Sequence, residues 1–182
     1  MKNFMLVVLA LVLVSSLALA QSSAVTTITI NAAATALTMA NSDGGVDGVL
    51  RGETYTVVFD AYAGASTVAP NFNGEAPNGD VGVDISGDIN SNVVVEMDLP
   101  DHLLGTGGTS MAITFPGSGP GGGVRVETGG FFNPNVTNTF NLGGGGVCNL
   151  RLGYVFTVPP ETNIAGDAYI GQILTNAYYT GL

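Results

Sequence analysis

"DISGDINSNVVVEMDLPDHL" (residues 84–103) carries five of the chain's fourteen acidic residues and its one histidine, His102. Two readings compete for it: a carboxylate and imidazole reaction centre, or an ordinary strand with a turn at each end. In an extended chain the side chains alternate, so Val93, Val95, Met97 and Leu99 face one side. Val94, Glu96 and Asp98 face the other. Glu96 and Asp98 then sit about 6–7 Å apart at the backbone, a spacing that resembles a glycosidase carboxylate pair. A solvent-facing row on a half-buried strand produces the same pattern. A general acid or base also needs a desolvated pocket with converging partners. Pro100 stops the strand and leaves Asp101 and His102 in the turn that follows. One histidine cannot supply the several ligands of a zinc site. The stretch is read as turn, strand and proline stop, with its acids on the wet side.

Period-two alternation extends outward from this strand, and no stretch keeps a helical period. Residues 51–63, "RGETYTVVFDAYA", place Tyr55, Val57 and Phe59 on one face. "VGVDIS" (81–86), "TSMAITF" (109–115), "VRVET" (124–128) and "VTNTFNL" (136–142) read as further strands. "VCNLRLGYVFTV" (147–158) and "AYIGQILTNAYYTGL" (168–182) close the chain. Residues 41–48 and 64–80 are rich in Gly, Asn, Asp and Pro and read as loops. Eight or nine strands joined by short turns predict an all-β fold, an antiparallel sandwich of Ig-like or fimbrial-like type.

Residues 1–20 have the pattern of a cleaved signal peptide. Lys2 gives the positive n-region, Phe4 to Val14 the apolar h-region, and Ala18 to Ala20 the small-x-small motif. The expected mature protein is one domain, residues 21–182, exported to the cell surface or medium and without membrane insertion. Three arginines (Arg51, Arg125, Arg151) then face fourteen acids, a formal charge of −11. Such a field repels phosphate backbones and argues against nucleic-acid binding. The absence of lysine beyond Lys2 excludes Schiff-base chemistry and Lys–Asn isopeptide crosslinks. Cys148 stands alone, so no intrachain disulfide forms, and its apolar surroundings predict a buried thiol.

Three strings resemble known motifs. Asp43, Asp47 and Glu53 lie among glycines in "NSDGGVDGVLRGE" and are the calcium candidates. Their spacing fails the EF-hand loop, which wants acids at one, three and five and glutamate at twelve. "GSGPGG" (117–122) matches G-x-G-x-x-G as a string but lacks the βαβ setting that phosphate binding needs. Asn135-Val136-Thr137 is an N-glycosylation sequon. No nucleophile, base and orienting group come together, so no catalytic residue is assigned and the chain is not expected to be an enzyme.

"ISGDIN", "VVVEMDLPDHLLGTGG", "SMAITF", "LRLGYVFTVPP" and "GDAYIGQILTNAYY" occur in an order that resembles secreted bacterial Ig-like β-domains of unknown function. Those domains are akin to fimbrial or spore-coat-type surface subunits. The resemblance spans residues 24–182 and is best from 84 onward. It departs at "YIGQ", where a Tyr-x-Gly-Thr turn is usual, and at the long Gly143–Gly146 linker. It implies a non-enzymatic surface or matrix subunit that self-associates or binds another surface protein, and it transfers no catalytic residue. Residues 21–40 are expected to be either the domain's own first strand or a donor strand for a neighbour. The alternative from another class is a secreted carbohydrate- or calcium-binding module that uses loops 41–53 or 64–88.

Overall fold

Alternation of buried and open residues carries straight from sequence into structure. The computed structural model describes residues 36–105, 107–119, 121–160 and 168–180, and every strand pairing among them is antiparallel. The expected signal peptide and residues 24–35 lie outside the described residues. Leu37–Thr180 form one compact unit.

One sheet has five strands: β1 (Thr38–Ser42), β6 (Gly82–Ser86), β13 (Val147–Leu152), β10 (Gly123–Arg125) and β11 (Gly130–Phe132), in that order. A three-stranded sheet runs β12 (Asn138–Asn141), β7 (Asn92–Asp98), β16 (Leu174–Tyr179). A six-stranded sheet runs β15 (Tyr169–Ile170), β8 (His102–Gly105), β9 (Ser110–Thr114), β14 (Tyr154–Thr157), β3 (Thr54–Asp60), β4 (Ala65–Ala69). A small ribbon pairs β2 (Val46–Asp47) with β5 (Ala76–Pro77).

The inward faces of the three large sheets meet in one core. Val83, Ile85, Cys148, Leu150 and Leu152 come from the five-stranded sheet, and Val93 and Val95 from β7. Tyr55, Val57, Met111, Ile113, Tyr154 and Phe156 come from the six-stranded sheet. Tyr55 stacks on Phe156 at 5.4 Å between centroids, and Phe132 meets Phe140 edge-on at 5.3 Å. The chain is thus the antiparallel β-sandwich that the sequence predicts, but with sixteen strands among the described residues instead of eight or nine.

The surplus has local causes. "VCNLRLGYVFTV" is two strands in two sheets, because the chain crosses between sheets at Gly153. A Cβ there would stand 2.5 Å from the Gly121 carbonyl oxygen and 2.8 Å from that of Val57, so only glycine fits. The expected loop 64–80 contains β4 and β5, and 41–48 contains the end of β1 and all of β2. His102 was expected in a turn; it opens β8 instead. Residues 93–98 pair antiparallel with 174–179, and residues 104–105 with 169–170. Two more residues lie on the first side than on the second between Ile170↔Leu104 and Leu174↔Asp98. The excess falls in residues 99–103, where the ladder is interrupted beside Pro100, which cannot donate to it.

The Gly143–Gly146 stretch, read as a linker, is a tight turn docked on the "GDIN" turn. Asn90 N–H donates to the Gly143 carbonyl at 2.7 Å, and Gly87 N–H to that of Gly146 at 2.9 Å. Asn90 itself sits at φ 58°, a left-handed conformation that asparagine tolerates better than most residues.

Candidate functional site

Among the described residues the sandwich is open along one seam. Met39 lies opposite Ile85 across the β1–β6 ladder, so the two side chains share a face. Ile85 is 0% exposed and Met39 is 46% exposed. The core face of the five-stranded sheet is therefore uncovered at its β1 edge. The neighbouring edge is β16, which among the described residues pairs only with β7. One end of the seam is marked by Gly87, where a Cβ would touch both the Tyr179 hydroxyl and the Leu37 side chain. At the other end a groove of about 790 Å³ runs between Ser42 and Thr175, with Val81, Met97 and Leu152 among its apolar walls. Among the described residues, β1 and β16 each lack a second ladder partner, and they flank a slot of mixed character, with Asn41, Asp43, Asp98 and Gln172 beside its apolar walls.

A second cavity of about 560 Å³ opens beside it, between the β2–β5 ribbon and the inner face of the six-stranded sheet. Its floor includes Met111, Ile113, Phe115, Tyr154 and Phe156, and Asp47 and Asn78 line it on the ribbon side.

The expected candidates sit as follows. Asp47 Oδ2 accepts a hydrogen bond from Asn78 Nδ2 at 3.1 Å. Asp43 lines the larger groove, and Glu53 engages β14's exit through its backbone, where Val158 N–H donates to its carbonyl at 2.9 Å. Among the described residues no three His, Cys, Asp or Glu side chains gather where they could hold a metal ion. Glu96 accepts from the Tyr178 hydroxyl at 3.1 Å, which raises the phenol's pKa. Asp98 is exposed at the end of β7. His102 Nδ1 pairs with Asp101 at 3.0 Å on the open surface, and that contact lowers the Asp101 pKa. Asn135 Nδ2 is engaged, donating to the Phe115 carbonyl and to Asn133 Oδ1, each at 3.0 Å.

Cys148 is 0% exposed, and burial pushes its thiol pKa up to about 12. Arg151 of β13 pairs with Asp84 of the neighbouring β6 at 2.7 Å, and Arg125 at the end of β10 pairs with Glu127 in the following turn at 3.2 Å. Sequence reasoning missed one acid altogether. Glu75, in the Asn/Pro/Gly loop, is only 3% exposed. Its Oε2 accepts from Asn73 N–H at 2.9 Å and its Oε1 from the Tyr55 hydroxyl at 3.0 Å. The Asn73 N–H foremost holds its carboxyl below the usual range, with burial opposing. Nothing in its sequence neighbourhood separates it from the wet acids of the same loop.

No family model matches this chain, no curated protein matches it, and no solved structure matches it. Among the described residues no helix is long and apolar enough to cross a membrane.

Proposed function

We propose that this is an exported, non-enzymatic β-sandwich that builds a cell-surface fibre or matrix by strand addition between copies. The observation that carries the reading is the uncovered core face at Met39, with β1 and β16 on either side of the slot, each without a second ladder partner among the described residues. Open edges with an apolar face beside them pair with other chains unless they are blunted by charge or proline. Neither β1 nor β16 contains a charged residue or a proline.

The occupant that fits is residues 24–34, "AVTTITINAAA", from a neighbouring copy. Ile28 and Ile30 fall on one face when it is extended, and would enter the slot while its backbone completes a ladder. Residues 21–42 contain no Asp, Glu, Lys or Arg, whereas the chain as a whole carries −10. An uncharged segment lets such acidic copies associate without direct charge repulsion at the contact. The export-signal pattern at residues 1–20 supports an assembly outside the cytoplasm. Size-exclusion chromatography and electron microscopy of the chain lacking residues 24–35 test the reading. Loss of assembly with the fold retained supports it, and fibres from the truncated chain end it.

A further inference from the structure

We propose that the 560 Å³ cavity under the β2–β5 ribbon is a binding site for an uncharged, mainly apolar small molecule with one hydrogen-bonding group. The volume lies within the range of small-molecule sites, about 300–1,000 Å³. Met111, Ile113 and Phe115 from one strand path face Tyr154 and Phe156 from the next, giving a floor of apolar and aromatic surface.

One polar group interrupts that floor. Tyr154 is 6% exposed as a residue, but its hydroxyl is not sealed off, since among the described residues no buried side-chain oxygen or nitrogen is left without a partner. The other buried or half-buried tyrosines are all satisfied. Tyr55 donates to Glu75, Tyr169 accepts from Thr109, and Tyr179 accepts from the Asp88 N–H. Tyr154 makes no such bond among the described residues, so its hydroxyl is open to water, and a ligand hydroxyl, carbonyl or amine at that point would take the water's place. Burial pushes the Tyr154 pKa up to about 12, so the phenol meets the ligand as a neutral donor and acceptor.

The chemistry of the walls restricts the ligand's charge. An anion would meet Asp47 at the ribbon side and the negative field of the whole chain. A cation could meet a carboxylate only at Asp47 on the ribbon side, and on the apolar floor it would lose its hydration without compensation. Offset stacking on Tyr154 and Phe156 favours a ring system. This site adjoins the groove at the end of the seam, sharing Gly44, Val81, Pro100 and Gly171 with it, but Met39 lines neither.

The test uses N-phenyl-α-naphthylamine, an uncharged aromatic amine with one N–H, added to the full mature chain with isotope-labelled methionine methyls. The chain has no tryptophan, which leaves the probe's excitation and emission clear. The expected result is saturable binding of one equivalent. The Met111 methyl resonance moves, while that of Met39 stays in place. Tyr154→Phe weakens binding about three- to tenfold, the loss of one hydrogen bond. Ile113→Trp, which fills the cavity, abolishes binding while far-UV circular dichroism is retained. If Ile113→Trp fails to fold, the Tyr154→Phe ratio and the Met111 shift still decide. Absence of saturable binding, or binding unchanged in Tyr154→Phe without a Met111 shift, overturns the proposal. Probe-free contacts between the Met111 methyl and residues 24–35 overturn it as well, since the chain's own segment would then fill the space.

Discussion

Met39 and Ile85 face the same way across one ladder, and only Ile85 is covered. A methionine nearly half exposed on the core side of a sheet marks a place where the fold stops short of closing. Met39→Lys puts a charge on that edge without disturbing the packed core. The substitution is expected to change unfolding free energy by no more than about 0.5 kcal/mol. It is expected to abolish self-association. Analytical ultracentrifugation alongside urea unfolding checks both halves.

Gly153 is the hinge on which one continuous alternation serves two sheets. Gly153→Ala drives a methyl against the Gly121 and Val57 carbonyls, neither of which is a movable side-chain tip. The expected loss is about 1–3 kcal/mol, read as a lower urea midpoint at unchanged slope. A neutral outcome would show that the crossing relaxes more easily than its geometry implies.

Cys148 is chemically silent in the folded state. With 0% exposure and a thiol pKa near 12, it is expected not to react with Ellman's reagent at pH 8 in native buffer. One equivalent reacts once guanidinium unfolds the chain. A disulfide-linked dimer from native protein would contradict this placement.

Glu75 gives stability a dependence on acid pH. Its folded pKa is lowered, so the unfolded state takes up the proton first as pH falls. The stabilisation is fully present above the unfolded value of about 4.5 and fades as pH drops through the folded one. Glu75→Gln is expected to lower the urea midpoint at pH 7 and to flatten the slope between pH 5 and pH 3. Parallel pH series on the two proteins read the difference directly.

The sequence made the core strands legible because their burial is strictly alternate. Tyr55, Val57 and Phe59 are buried in order, as are Val93 and Val95. The division at Gly153 was hidden by that same regularity. Cys148, Leu150 and Leu152 are buried before it and Tyr154, Phe156 and Val158 after it, so the period-two phase never breaks. A change of sheet with no change of inward face leaves no mark on the pattern. Glu75 was hidden for the opposite reason. Its loop has no periodicity, and its burial depends on Tyr55, twenty residues earlier. The seam at Met39 was equally invisible, because exposure at an edge depends on which strands are missing from the other side.

The most direct measurement of the central claim is electron microscopy of the full mature chain beside the chain lacking residues 24–35, each first shown by circular dichroism to be folded. Filaments or regular oligomers from the full chain, with monomers from the truncated one, are the predicted result. Filaments from both, or monomers from both at millimolar concentration, would contradict assembly by strand addition at the β1–β16 seam.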